Sequence, residues 1–569
     1  MNLLKLDLTT AKHFLSTLLF LLPASIFAAT PPNFIIIYTD DLGYADTSVQ
    51  MMAADPSTKS KFYPTPGLER LADKGVRFTA AYAPTPTCTG SRLSIQHGKS
   101  SASMQYRNVF DVLSSVQRPD GYDAEVTMAE MFKGSGKNYI TAMFGKGCSA
   151  MKRADTSGYD ITDENTSGGN GNGHGQWWNP DTKVPFPEDD PKRLHSLRKD
   201  SVAFINEYAG KQPFFMMVSH YAVHIPFMAT AEAIERNKKR WLELGGNPKE
   251  LENEKSKAHK DILYSAMIEE MDMNIGAIID ALEAKGQMKN TYIIFTSDNG
   301  GGYAERRNVN GSPQRFNGPL QDGKRSIFEG GLRVPTVISG PGIKPGSECD
   351  VPIVQWDFLP TFHDLSGSTA PMPEGVDGGS LRSVFKKGNA GVVNRAAPGI
   401  VHHYTCHYHP AISSIIIGDF KLMRHLNTGE FKLFNIKTDY REEHDLSKEM
   451  PERVATMDAA RQKYIDRVDG GSAEQVREAY YKLMDKFSKQ SKDGYKKDLA
   501  KLKASNPANF KTQKAALLKA LNDKLRRNAE GKEHARRMVK HTSFKEGSST
   551  KKGAQEFVRA NWVDYTGEE

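Results

Sequence analysis

Apolar residues fall into short unbroken runs set between stretches of helical periodicity. Residues 33–39 (NFIIIYT) follow Pro31-Pro32 and end at Asp40-Asp41. The run is short, rich in isoleucine and without polar alternation, which predicts a parallel strand covered on both faces. Residues 291–297 (TYIIFTS) repeat the grammar and end at Asp298-Asn299 and a glycine run. Residues 213–219 (PFFMMVS) repeat it again, ahead of His220 and His224. Between these runs apolar positions recur at helical spacing, most clearly over residues 262–285. Strands alternating with helices predict an α/β fold with a mostly parallel central sheet flanked by helices.

The grammar changes after a helical stretch at 359–365 and a Gly/Pro-rich joint at 367–379. Residues 413–417, 421–424 and 431–434, with Asn427-Thr428-Gly429 as a turn, predict a small antiparallel sheet. Residues 446–468 predict a helix. The last hundred residues are rich in Lys, Ala and Leu and predict helices with flexible joints. The expected order is a leader over 1–29, an α/β domain over 30–385, a smaller C-terminal α+β domain over 386–470 and a basic helical tail over 471–569. A chain of 569 residues has room for several such cores. No internal repeat, zinc-type Cys/His spacing or P-loop is present.

Charge sharpens this division. The net charge is +8, yet residues 471–569 hold 23 Lys and Arg against 13 Asp and Glu, which leaves the rest slightly acidic. Such a tail suits anionic polysaccharide, a membrane surface or nucleic acid. The plainer reading, a solvated helical appendage, is the expectation, and no nucleic-acid partner is expected. At the other end, Lys5 and Lys12 precede an apolar run at 14–22, then Pro23 and Ala28-Ala29. That order predicts a cleaved export signal and a periplasmic or secreted protein, with an uncleaved anchor as the alternative. No later stretch is apolar and long enough to cross a membrane. Four cysteines (Cys88, Cys148, Cys349, Cys406) are too few for a disulfide scaffold.

Two acidic pairs at the carboxyl ends of two predicted strands suggest a shared metal site, because ligands of open α/β sheets bind off those ends. One such pair could merely cap a helix. Asp40, Asp41, Asp298 and Asn299 offer only oxygen, which suits calcium, or magnesium, and not zinc. The segment Cys88-Thr89-Gly90-Ser91-Arg92 adds a thiol and a guanidinium.

Taken together, these motifs resemble the sulfatase family, whose members carry Asp-Asp after the first strand and a Cys-x-Pro-x-Arg element. Further matches are GKG at 145–147, HIP at 224–226, SDNGG at 297–301 and GKRSIFEGGLRVP at 323–335. The resemblance runs from about Asn33 to the region of Asp439. It implies an alkaline-phosphatase-like fold and hydrolysis of a sulfate ester, most readily on a sulfated carbohydrate. It further implies that a maturation enzyme converts Cys88 to formylglycine, whose hydrate supplies a nucleophile and a further metal ligand beside Asp40, Asp41, Asp298 and Asn299. Arg92 would orient it, Lys146 and Lys324 would grip sulfate oxygens, and His224 would bind sulfate and, with Lys324, protonate the leaving alcohol. Glu329 and Arg333 would hold the loop carrying Lys324. The segment 402–410 resembles a stretch that reaches the pocket, so His402, His407 and His409 become candidate substrate contacts, with Trp177, Trp178, Tyr404 and Tyr408 as aromatic lining; zinc ligation is the lesser reading of those histidines.

Two positions depart from the family pattern. Gly90 stands where the family has Pro or Ala, in a segment that the maturation enzyme reads in an extended chain. Cys148 stands where the family's GKWH element places a histidine. His97 or His174 could substitute, or Cys148 could pair with Cys406. The competing functions are a phosphate or phosphonate ester hydrolase of the same superfamily and a sulfoglycan-binding protein in which Cys88 stays unconverted. Oligomeric state is not legible.

Overall fold

The computed structural model describes residues 30–106, 122, 124–148, 154–163, 189–253, 256–302, 307–309, 312–314, 317–404, 412–426, 428–468, 473–505 and 507–542. Its centre is an eight-stranded sheet built from β1 (Asn33–Thr39), β2 (Gly75–Phe78), β3 (Ile140–Gly145), β4 (Ile161–Thr162), β5 (Phe214–Ser219), β6 (Thr291–Ser297), β7 (Thr336–Ser339) and β8 (Ser347–Cys349). Their spatial order is β8-β2-β7-β6-β1-β5-β3-β4. Only β7 runs antiparallel to its neighbours β2 and β6, so the sheet is mostly parallel, as its apolar runs predict.

All seven residues of β1 are buried. Ile35 and Ile37 enter one core, while Phe34, Ile36 and Tyr38 enter the other. Side chains alternate across a strand, so a run apolar at every position needs cover on both sides. The first side is covered by α1 (Pro66–Asp73), α3 (Leu194–Tyr208) and α4 (Lys257–Ala284). The second is covered by α2 (Cys88–His97) and α5 (Phe358–Leu365), among others. The register places Phe34 opposite Phe215 and Tyr292.

A sequential antiparallel sheet follows: β9 (Ile400–Tyr404), β10 (Ile412–Ile417), β11 (Phe420–His425) and β12 (Phe431–Asn435). One face packs on α6 (Pro451–Val468). The other packs on Tyr82, Trp356, Ile327 and Leu332 of the larger part. β9 and five strands of the main sheet (β2, β3, β4, β7 and β8) are too short or too mixed to stand out in sequence. The helix expected from 446 begins only at Pro451, whose fixed φ suits a first turn.

In the tail, two helices of 33 residues each, α7 (Ala473–Ser505) and α8 (Phe510–Thr542), pack along one another. Leu502 and Leu521 are buried, and Asn528 Nδ2 donates to Ser488 Oγ across the pair at 3.1 Å.

Candidate active site

The site forms where β1, β6, β3 and β5 end. Past β1 the backbone stays in register: Asp298 N–H donates to Thr39 O (3.0 Å) and Asp40 N–H to Ala222 O (2.8 Å). Asp41 then turns with φ 64°, a left-handed conformation that Asp tolerates better than most residues. Its N–H donates to Asp298 Oδ1 at 3.2 Å, and Leu42 N–H to Ser297 Oγ at 3.0 Å. These bonds aim both acidic pairs at one point.

Cys88 opens α2 and is half-buried. Asp40, Cys88 and Asp298 present ligand atoms that all lie within 4.8 Å of one another. Asn299 Nδ2 donates to Asp41 Oδ1 (2.8 Å), while Asn299 Oδ1 is buried without a hydrogen-bond partner among the described residues. An orphaned acceptor beside crowded carboxylates is the environment that a hard cation satisfies. The donor set therefore fits the calcium or magnesium expected from sequence.

Four cationic side chains and a histidine surround this cluster. Lys146, just past β3, pairs with Asp40. Lys324 Nζ lies 2.6 and 2.7 Å from the two Asp41 carboxylate oxygens. Arg92 Nε donates to Asp298 Oδ2 at 2.8 Å and Nη1 to Lys146 O at 3.2 Å, with its guanidinium 5.0 Å from the centre of the Tyr38 ring. It fastens three strand ends together. His224 lies with Nδ1 2.7 Å from Ile225 O and Nε2 3.7 Å from Asp41 Oδ2.

Burial opposes the charge on Asp40, yet Lys146, His224 and Arg92 hold its carboxyl well below the usual range. Burial, then the charge of Asp40, pushes Asp298 up to about 7 against the pull of Arg92. Burial, then Lys324, pulls His224 down to about 4, so its ring is neutral near pH 7.

The fourth cation, Lys192, carries no motif. It is fully buried in the turn that leads into α3, where Lys192 and Arg193 both adopt left-handed backbone (φ 58° and 57°). Arg193 pairs with Asp163 at 2.7 Å, and Asp163 accepts the Gly145 N–H at 2.9 Å, which ties the turn to the strand end beside Lys146. Burial drives Lys192 down to about 7, offset by the nearby carboxylates of Asp40 and Asp41.

The loop of Lys324 is anchored from behind. Glu329 Oε2 accepts from Arg333 Nε (2.5 Å) and Tyr82 OH (2.9 Å). Lys421 Nζ, on β11, bridges Glu329 (2.9 Å) and Glu442 (2.8 Å) with no exposure to solvent. Arg325 N–H donates to Pro86 O at 2.7 Å, which links this loop directly to the Cys88 segment.

Other expected residues are placed differently. His402 is buried between Tyr82 and Trp356, with Nε2 3.1 Å from Ala83 O. This packing holds the strand leading to Cys88 and corrects its reading as a substrate contact; β9 alternates, and position 402 faces inward. His97 lies at the far end of α2, roughly 13 Å along the axis from Cys88 by helix rise. Its Nδ1 faces Val126 O at 3.0 Å, so it does not replace the missing histidine. Cys148 Sγ lies 3.4 Å from Thr89 O and packs by Leu93, Met104, Tyr106 and Tyr122. His174, Trp177, Trp178, Cys406, His407, Tyr408 and His409 fall outside the described residues, and with them the Cys148–Cys406 pairing.

A family model described as Sulfatase matches residues 32–368, more than half of the chain. The chain belongs to the sulfatase family. A second model, N-sulphoglucosamine sulphohydrolase, C-terminal, matches residues 321–467 of this sulfatase. Arylsulfatase A of Homo sapiens is 28% identical over 389 residues, covering 63% of this chain and 68% of its own. A sulfatase of Formosa agariphila is 26% identical over 520 residues, covering 75% and 86%. N-acetylgalactosamine-6-sulfatase of Mus musculus is 26% identical over 394 residues, covering 63% and 67%. The fold is also that of the crystal structure of Ps i-CgsB in complex with k-i-k-neocarrahexaose, with a TM-score of 0.60 at 24% identity over 76% of this chain and 93% of that one. As a member of its family the sulfatase is a sulfuric ester hydrolase. No helix among its described residues is long and apolar enough to cross a membrane.

Proposed function

We propose that this sulfatase, exported by the leader at 1–29, removes sulfate from a sulfated carbohydrate. The observation that carries the reading is the meeting of Asp40, Cys88 and Asp298 within 4.8 Å, ringed by the cations at 92, 146 and 324. The carbohydrate part is supported by a relative named N-acetylgalactosamine-6-sulfatase and by a neighbour solved in complex with k-i-k-neocarrahexaose. The catalytic part is read as 30–385, with 386–470 buttressing the Lys324 loop and 471–569 as an extension.

Asp40, Asp41, Asp298, Asn299 and residue 88 would hold calcium, which when bound polarises a sulfate oxygen as a hard Lewis acid. Residue 88 is read as a formylglycine, made by a maturation enzyme, that contributes the attacking oxygen. Lys146 and Lys324 lie against the ligand carboxylates and carry the positive charge that a sulfate group needs. Arg92 keeps Asp298 and the Lys146 carbonyl fixed relative to Cys88. Lys324, kept protonated by Asp41, is the group able to hand a proton to the departing alcohol, and His224, neutral near pH 7 and also beside Asp41, is read as a sulfate contact.

Peptide mass spectrometry across residue 88, on protein from its own host, tests the central claim. Conversion of thiol to aldehyde lowers the peptide mass by roughly 18 Da. An unmodified thiol throughout would remove the proposed nucleophile. Turnover of an aryl sulfate in preference to the matching aryl phosphate separates this reading from a phosphoesterase.

A further inference from the structure

Both matched family segments end by residue 467, ahead of the helical pair α7–α8. Residues 473–542 hold 19 Lys and Arg against 8 Asp and Glu. The distribution on α7 is one-sided. At 3.6 residues per turn, Lys486, Lys489, Lys496, Lys497, Lys501 and Lys503 fall on one half of the helix, along about 25 Å of its length. All six are exposed, and among the described residues none makes an ion pair. The opposite half, with Phe487, Gly494, Tyr495 and Leu502, faces Leu517 and Leu521 of α8. A merely solvated helix face ordinarily interleaves acids and bases as i,i+4 pairs, which blunt its field. Here six lysines share their half of the helix with two acids, Asp485 and Asp493, of which Asp485 pairs with Lys532, so the face keeps a clear excess of positive charge.

We propose that this lysine ridge binds the sulfate groups of an extended sulfated polysaccharide and tethers the polymer to the enzyme. The plainer expectation of a solvated appendage does not account for an excess of six bases over two acids on one half of the helix. The occupant follows from charge complementarity with the substrate class, so the choice of polymer rests on the function proposed above. A row of ammonium groups on flexible stems offers point charges rather than shaped pockets, and it recognises sulfate density rather than one sugar. Tethering raises the local concentration of sulfate esters at the active site without touching the chemistry.

The test compares the full chain with the same chain carrying Lys486→Gln, Lys489→Gln, Lys496→Gln, Lys497→Gln, Lys501→Gln and Lys503→Gln. Glutamine keeps helix propensity and removes only charge. The probes are heparin and ι-carrageenan, with unsulfated dextran, a DNA duplex and phosphatidylglycerol vesicles for comparison. The parent binds the sulfated polymers in a salt-dependent way, and the variant binds them at least about tenfold more weakly with a shallower salt slope. Equal binding by parent and variant overturns the ridge. Tighter binding of the duplex or the vesicles than of either sulfated polymer, at the same salt, overturns the occupant. Aryl-sulfate turnover, measured on both proteins, stays equal if the ridge is only a tether, and a fall in the variant alone counts against that. Absence of aryl-sulfate turnover from both sinks the catalytic proposal, while the binding comparison still decides the ridge.

Discussion

At the scale of single residues, the departures from the family pattern have neighbours that account for them. A Cβ built on Gly90 would sit 2.8 and 2.9 Å from Thr85 and 3.2 Å from the Tyr106 ring. Gly90→Ala gains about 1 kcal/mol in helix propensity and loses about 1–3 kcal/mol to overpacking. Net destabilisation is expected, seen as a lower urea midpoint at unchanged slope. Lys192 makes the opposite case, since its ammonium is buried beside the strand ends and its charge acts on Asp40 and Asp41. Lys192→Met removes a buried charge and fills similar volume, so thermal stability is expected to hold or rise. kcat/KM for a sulfate ester is expected to fall by less than the tenfold or more that loss of a direct contact to a developing charge costs, because Lys192 acts through Asp40 and Asp41 and is only partly charged near pH 7. Steady-state kinetics alongside a melting curve separate the two effects.

At the scale of elements, what could be read in sequence was what is written locally. The residues of β1, β5 and β6 announce themselves because cover on both faces forbids polar positions. The acidic pairs, Cys88, Arg92, Lys146 and Lys324 lie in contiguous motifs that the fold brings together. Lys192 was invisible because its burial comes from a backbone turn clamped by Asp163, a partner chosen by tertiary structure. His402 was misread because a histidine-rich segment does not reveal which histidines face inward. Another hidden device joins two helices. Thr65 precedes α1 without capping it, and Asp272, in the middle of α4, accepts the Gly67 and Leu68 N–H groups at 2.6 and 2.8 Å instead. Burial raises the Asp272 carboxyl to about 7 against those two bonds. Asp272→Ala leaves two buried donors unpaired and is expected to cost about 2–4 kcal/mol, measured by equilibrium unfolding.

At the scale of the whole molecule, the small sheet and the catalytic part share buried groups, and acid reads out their union. Burial, then the charge of Lys421, drives His402 down to about 3. In the unfolded chain the same ring titrates near 6.5, so between those values only the unfolded state takes up the proton. This histidine therefore erodes stability as pH falls from about 6.5 toward 3, by up to about 1.4 kcal/mol per unit. Buried carboxyls such as Asp272 act with the opposite sign, so the signature is a difference. His402→Gln is expected to flatten the acid side of the stability curve relative to the parent, and parallel curves would contradict it. A last consequence concerns time. Every residue of α2 after Cys88 is buried, and the helix is clasped through Pro86 to the Lys324 loop. An enzyme that edits residue 88 by gripping an extended strand of chain has nothing to grip once α2 has wound. On the conversion proposed for residue 88, editing and folding would be rivals for the same stretch, and their relative rates during synthesis would set what fraction of molecules is ever competent; a molecule that folded first would be locked out.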